Sequence, residues 1–277
     1  MEIKVSPFAG FCYGVQRAVD MACKAASQGP LYSLGPLIHN PLVVAELEKK
    51  GIKVVSSLDE IPDGEAVLFR AHGVEKEKEE KARMRGIKVI DTTCPFVKNA
   101  QEKAELLYKE GYQVIIFGEK EHPEVRSILS YTDKSAFIMS HADEIGQSEL
   151  QKAGVVSQTT RNREAFSSFC AEIVSSSVES RIYNTICLAT KERQEDARRL
   201  AGETDFMIVV GGRNSANTRK LFEIVSAVKP AVLVESADEL RVDELTNYDT
   251  IGITAGASTP DTTIRELIVL LKTYFGG

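Results

Sequence analysis

A chain of 277 residues, 43% hydrophobic and 27% charged, has the balance of a soluble globular protein and is long enough for two or three α/β units. A formal charge of −6, no Trp and only 7% aromatic residues exclude a general attraction to nucleic acid or anionic membrane, and an aromatic base-stacking surface. An anionic ligand therefore requires a local site. Residues 1–10 lack the charged and apolar regions of a secretory signal, and no apolar run approaches transmembrane length. The expectation is a cytoplasmic protein whose five cysteines are reduced and available for metal binding or catalysis rather than disulfides.

Taken in chain order, Gly10-Phe11-Cys12-Tyr13-Gly14 leads into a helix beginning near Val15. Ile38-His39-Asn40-Pro41 has the form of a polar turn with proline at a helix start. A strand at 66–69 runs into Arg70-Ala71-His72-Gly73. A strand at 88–90 precedes Asp91-Thr92-Thr93-Cys94-Pro95 and a helix over 100–110. A strand at 113–117 ends at Gly118-Glu119-Lys120-Glu121-His122-Pro123-Glu124, and one at 136–139 ends near His141. After a strand at 154–157, Ser175-Ser176-Ser177 reads as an ordinary loop. Asn184-Thr185-Ile186-Cys187 then opens a helix near Thr190 that covers 192–201. Strands at 206–210, 231–234 and 250–254 follow, with the turns Gly211-Gly212-Arg213-Asn214-Ser215-Ala216-Asn217 and Ala257-Ser258-Thr259-Pro260, the latter before a helix over 261–274. Continuous apolar strands alternating with helices predict a parallel α/β fold.

Three times a cysteine stands just before a helix, and the three are 82 and 93 residues apart, each interval holding one compact unit. The predicted organisation is three similar α/β units, 13–94, 95–187 and 188–277, with residues 1–12 packing on the third. In open parallel sheets ligands bind beyond the carboxyl ends of the strands, where helix N-termini offer free N–H groups to anions.

Three of the four histidines, His39, His72 and His122, sit in such turns, whereas His141 reads as a surface or capping residue. Ser215, Asn217, Thr159 and Ser258 add neutral donors, each equally readable as a helix cap. Glu124, in a first helical turn, is either a dipole-stabilising residue or a proton donor whose pKa is held up by burial or negative charge. Cys12, Cys94 and Cys187 are open to four readings: core thiols, a zinc site, a nucleophile or cluster ligands. Cys23 and Cys170 read as small buried hydrophobes within helices.

Gly10-Phe11-Cys12-x-Gly14-Val15, His39-Asn40, Ala71-His72-Gly73-Val74, Asp91-x-Thr93-Cys94-Pro95, His122-Pro123-Glu124-Val125, Gln158-Thr159-Thr160, Ile186-Cys187-x-Ala189-Thr190-x-x-Arg193-Gln194, Asn214-Ser215-x-Asn217 and Thr254-Ala255-Gly256-Ala257-Ser258-x-Pro260-Asp261 occur in order across nearly the whole chain. Together they resemble the motif set of the 4-hydroxy-3-methylbut-2-enyl diphosphate reductase (LytB-type) family.

The resemblance implies a three-lobed α/β trefoil around a central [4Fe–4S] cluster and the reductive dehydroxylation of an allylic alcohol diphosphate to isopentenyl and dimethylallyl diphosphates. It implies that Cys12, Cys94 and Cys187 ligate the cluster and leave one iron open. Glu124 then delivers protons, with Thr159 in its hydrogen-bond network. His39, His72, Ser215, Asn217 and Ser258 hold the diphosphate, and His122 lies near both diphosphate and carbon chain. A ferredoxin or flavodoxin is the implied electron donor. Two positions depart from the family pattern: Ala216, where a second serine is usual, and Arg161, where an apolar residue is usual and a solvated surface arginine is expected. Competing readings are a quinolinate-synthase-like cluster dehydratase, a non-catalytic iron–sulfur sensor, and a cluster-free phosphate-binding protein.

Overall fold

The computed structural model describes residues 1–141, 144 and 150–276. Ala142 and Asp143, which follow His141 in the sequence, lie outside the described residues. The elements begin with β1 (Glu2–Val5), α1 (Tyr13–Ala26), β2 (Leu31–Leu34), α2 (Pro41–Lys49), β3 (Ile52–Val55), β4 (Ala66–Phe69), α3 (Lys76–Met84) and β5 (Lys88–Asp91). They continue with α4 (Pro95–Lys109), β6 (Gln113–Phe117), α5 (Pro123–Ser130), β7 (Phe137–Met139), β8 (Leu150–Ser157), α6 (Arg163–Ser175) and β9 (Ser177–Ile182). The last are α7 (Leu188–Gly202), β10 (Phe206–Val210), α8 (Ala216–Ser226), β11 (Ala231–Val234), β12 (Thr250–Ala255) and α9 (Asp261–Phe275).

The strands form three four-stranded sheets, ordered β3-β2-β4-β5, β7-β6-β8-β9 and β1-β12-β10-β11. Every pairing is parallel. The fold is thus the expected parallel α/β class in three similar units. Residues cluster into two compact bodies. Unit 1 holds Met1–Gln16, Ile38–Glu46 and Leu188–Gly277, and unit 2 holds Arg17–Leu37 and Leu47–Cys187.

In unit 1, β10 shows why the central strands read as unbroken apolar runs. Ile208 and Val210 face a core with Leu267 and Leu271 of α9, while Met207 and Val209 face Ala197 and Leu200 of α7 and Leu221 and Val225 of α8. Side chains alternate across a strand, so a sheet covered on both faces needs an apolar residue at every position. In unit 2, β6 repeats the arrangement. Ile115 and Phe117 pack on Phe166, Phe169 and Ile173 of α6, and Val114 and Ile116 pack on Ala100, Ala104 and Leu107 of α4 and Val125 and Ile128 of α5.

The loop expected at Ser175-Ser176-Ser177 is instead a direct junction: Ser175 ends α6, Ser176 is its C-cap and Ser177 starts β9. Ser176 donates its N–H back to Glu172, which lets the chain turn without a linker. The apolar-run criterion also passes over β1, β2, β3 and β9. Three of these are edge strands, and β9 (Ser-Val-Glu-Ser-Arg-Ile) carries polar residues that an edge position tolerates. Among the described residues no helix is long and apolar enough to cross a membrane.

One close approach in unit 2 fixes the packing of α4 on its sheet. A Cβ built on Gly154 of β8 would lie 2.9 Å from Leu107 Cδ2 and 3.0 Å from the Tyr112 Cβ. Leu107 is fully buried and has no room to withdraw. Gly154→Ala should therefore lower stability by about 1–3 kcal/mol through overpacking. In denaturant titrations, the double variant with Leu107→Ala should lose less stability than the two single losses combined, because the smaller side chain removes the collision. Strict additivity would show that the two residues do not press on each other.

Candidate functional site

In unit 1, Cys12 immediately precedes α1. Its carbonyl accepts the Gln16 N–H at 2.9 Å, and its own N–H donates to the Ala257 carbonyl at 3.1 Å. The approach to it is held by Arg193 of α7, which is 4% exposed and donates from Nε to the Phe8 carbonyl and from Nη2 to the Gly10 carbonyl, both at 2.8 Å. The sequence cites Arg193 only inside a motif, and nothing local marks it as the clamp on a segment 183 residues away.

The polar turns at the ends of β10 and β12 meet the His39 segment. Asn40 caps α2, its Oδ1 accepting from the Leu42 N–H at 3.0 Å, while its Nδ2 donates to the Ser258 carbonyl at 2.8 Å. The Ser258 hydroxyl donates to the His39 carbonyl at 3.4 Å. Ser215 caps α8, its hydroxyl accepting the Thr218 N–H at 3.3 Å. Two residues on, Asn217 is 5% exposed, and neither its Nδ2 nor its Oδ1 has a hydrogen-bond partner among the described residues. A buried amide with donor and acceptor both unmet is costly and marks a place where a polar ligand completes the structure. Unit 1 thus places His39 in the turn before α2, Ser215 and Asn217 at the start of α8 and Ser258 in the turn after β12, where helix N-termini offer N–H groups.

In unit 2, Cys94 is the N-cap residue of α4 with Pro95 in the first turn, and its N–H donates to the Ala71 carbonyl at 2.9 Å. Cys187 stands before the first residue of α7, and its N–H donates to the Thr159 carbonyl at 3.0 Å. The helices begin at Tyr13, Pro95 and Leu188, so each cysteine is the residue directly ahead of its helix. Among the described residues none of the three is joined in a disulfide, and all three are half-buried.

His122 is the N-cap of α5, its Nδ1 accepting the Glu124 N–H at 3.2 Å, and its ring meets that of His72 edge-on with centroids 5.7 Å apart. Glu124 is 1% exposed. Its Oε1 accepts the Thr159 N–H at 2.6 Å and its Oε2 accepts the Thr159 hydroxyl at 3.0 Å. Burial pushes its carboxyl from the ordinary 4.5 up to about 7, and the two Thr159 bonds, which favour the charged form, oppose the shift without cancelling it. An acid so placed is half-protonated near neutral pH, which suits proton delivery.

Residues 3–272 match the family model described as LytB protein. The chain belongs to the LytB protein family. It is 43% identical over 277 residues to the 4-hydroxy-3-methylbut-2-enyl diphosphate reductase of Geobacter sulfurreducens, covering 99% of this chain and 98% of that one. It is 41% identical to the protein of that name from Clostridioides difficile, covering 98% of this chain and 99% of the relative. A solved structure of (E)-4-hydroxy-3-methyl-but-2-enyl diphosphate reductase, described as the terminal enzyme of the non-mevalonate pathway, superposes with a TM-score of 0.76 at 40% identity, covering 99% of this chain and all 100% of the other. The E-1-hydroxy-2-methyl-but-2-enyl-4-diphosphate reductase from Plasmodium falciparum superposes with a TM-score of 0.91 at 28% identity, covering 98% of this chain and 88% of that one.

Against the LytB family pattern, Arg161 is not the solvated surface residue expected. Its guanidinium is stacked 4.6 Å from the Phe117 ring centroid and 3.6 Å from the Glu119 carboxylate, and its side chain is only 23% exposed. Ala216 is the first residue of α8 and adds no side-chain donor there. Cys170 is buried among Phe166 and Phe169, and burial pushes its thiol up to about 11. Cys23 is only half-buried, with Lys50 Nζ 3.4 Å from its sulfur, because it lies at the margin of the buried face of α1. His141 is exposed, as expected.

Glu124 has a signature in stability. Its folded pKa lies above its unfolded value, so the native protein keeps a proton that the unfolded chain releases, and stability contributed by this group falls as pH rises between about 4.5 and 7, then levels. Glu124→Gln keeps the shape and an acceptor for the Thr159 N–H but has no proton to lose. Denaturation midpoints measured from about pH 4 to about pH 8 should show the variant losing less stability than the wild type across that window. Parallel curves would show that the carboxyl is not held neutral.

Proposed function

We propose that this chain is an iron–sulfur reductase that converts (E)-4-hydroxy-3-methylbut-2-enyl diphosphate to isopentenyl and dimethylallyl diphosphates, the last step of non-mevalonate isoprenoid synthesis. The balance is one C–OH bond replaced by C–H with release of water, consuming two electrons and two protons. Family membership and the relatives' activity support the reading. The observation that carries it in the chain's own residues is Glu124, a buried acid with pKa near 7, fastened to Thr159, whose carbonyl also fixes the backbone of Cys187. A sensor needs no such acid, and a passive phosphate-binding protein needs neither the acid nor the three thiols.

Thiolate sulfur is the donor chemistry that an iron–sulfur cluster takes. Three thiols outside any disulfide each stand directly before a helix, at the turn where the first N–H groups of that helix are unmatched by its own carbonyls. A [4Fe–4S] cluster held by Cys12, Cys94 and Cys187 would supply the electrons and one iron without a protein ligand to act as a Lewis acid on the hydroxyl. The remaining roles belong to side chains. Asn217 offers both halves of an unmet amide to the diphosphate, Ser215 and Ser258 offer hydroxyls, and His39, His72 and His122 offer ring N–H groups. Held by these groups, the substrate brings binding energy remote from the reacting carbon, which orients the C–O bond. Glu124 gives its proton to the departing oxygen, and Thr159 holds the carboxylate that results with the two donors already in place. A ferredoxin or flavodoxin supplies electrons in a cytoplasmic setting, and the units run 13–94, 95–187 and 188–277 with 1–12 on the third.

Anaerobically purified protein should contain about four irons and four sulfides per chain and consume the allylic diphosphate with a chemical reductant. Serine in place of Cys12, Cys94 or Cys187 should strip iron, whereas serine at Cys23 or Cys170 should not. Glu124→Gln should keep the cluster but lose turnover by about 100-fold or more. A loaded cluster with no consumption of that diphosphate would sink the assignment.

A further inference from the structure

Unit 2 contains a buried polar clasp that the reaction as described does not use. Gln101 of α4 is 5% exposed and Ser127 of α5 is fully buried. Gln101 Nε2 donates to the Ser127 hydroxyl at 2.5 Å, and that hydroxyl donates to the Val74 carbonyl at 3.0 Å. One helical turn on, the Ser130 hydroxyl donates to the Ser127 carbonyl at 2.6 Å and accepts the Lys76 N–H at 3.0 Å. The bonds run from two helices to the segment that joins β4 to α3. That segment carries His72, and α5 carries His122 at its N-cap.

The approach is close enough to exclude a side chain. Gly73 has φ +79, and a Cβ built on it would lie 2.6 Å from the Ser127 hydroxyl and 2.7 Å from Gln101 Nε2. The Gly73 N–H donates to the Arg70 carbonyl at 2.9 Å, closing the turn, and the neighbouring Ala71 carbonyl accepts the N–H of Cys94. His72 is therefore presented by a turn whose backbone is pinned at Val74 by Ser127, and His122 by the helix that bears Ser127. The two rings meet edge-on with centroids 5.7 Å apart.

We infer that Gln101 and Ser127 are positioning residues for the diphosphate-binding pair His72 and His122. The inference rests on the function proposed above. Glu124, on the same helix, has a separate anchor in Thr159, so loosening the clasp disturbs substrate grip rather than proton delivery.

The test uses anaerobically purified, cluster-loaded enzyme, with KM and kcat for the allylic diphosphate and the Kd of inorganic diphosphate by calorimetry. Ser127→Ala should raise KM and the inorganic diphosphate Kd about tenfold while kcat stays within about twofold, the loss expected when two buried partners are left unmet. Gln101→Met should raise them about threefold, since Ser127 can still donate to Val74, and the double variant should be no worse than Ser127→Ala. Leu107→Ala, which weakens α4 packing in the same unit without touching the clasp, should leave KM unchanged. An unchanged KM in folded, iron-loaded Ser127→Ala would overturn the inference, as would a fall in kcat alone or an equal rise of KM in Leu107→Ala. If Ser127→Ala fails to fold, Gln101→Met decides by the same readings. If the wild type does not consume the substrate, the function proposal fails, and the inorganic diphosphate Kd alone judges the clasp.

Discussion

The carboxyl group of Glu124 is removed from water and receives two hydrogen bonds from one residue, the N–H and hydroxyl of Thr159. Burial disfavours the charge and the two donors favour it, and burial prevails enough to bring the pKa to about 7. Either force alone would leave a poor acid. A dry carboxyl without donors would not give up its proton, and one with donors in water would hold none at neutral pH. Much of the surrounding structure serves this compromise. Pro123 starts α5 where Glu124 falls in its first turn, and β8 ends just before Thr159, so the pair is set by a strand end meeting a helix start.

The same junction recurs wherever chemistry is expected. A parallel strand ends, the chain turns, and a helix begins with N–H groups unmatched by its own carbonyls. Cys12, Cys94 and Cys187 each occupy the last position before the helix, and Ser215 and His122 occupy N-caps. These are positions where a side chain can face a ligand without costing the helix an internal hydrogen bond. In the β6 and β10 sheets both faces are covered by helices, so the strand ends that lead into these turns are packed on both sides.

What was legible in the sequence follows from this. Strands such as β6 and β10 are buried on both faces and announce themselves as apolar runs, and the cysteine–helix junctions show as repeated local patterns. β9 was not legible, since an edge strand with one covered face tolerates Glu179 and Arg181. Arg161 was misread because its partner ring, Phe117, is 44 residues away in sequence and adjacent only after β6 and β8 pair. Arg193, Gln101 and Ser127 fail for the same reason: each acts on backbone carbonyls or side chains contributed by another element, and no local spacing encodes that.

The raised pKa of Glu124 also constrains how an anion can be held beside it. An arginine or lysine close to the carboxyl would stabilise its charged form and lower its pKa, undoing the acid. No charged side chain enters the balance at Glu124, only burial and Thr159. Arg126, two residues along α5, is exposed and pairs with Glu121 instead. The residues proposed to hold the diphosphate are correspondingly an amide, two hydroxyls and three histidines, which donate hydrogen bonds without imposing a permanent cation. A diphosphate brought near would add negative charge and reinforce burial in keeping the proton on Glu124 until the oxygen departs. Neutral donors, which at first sight suit a phosphate ligand badly, would let one site grip an anion without lowering the pKa of the acid beside it.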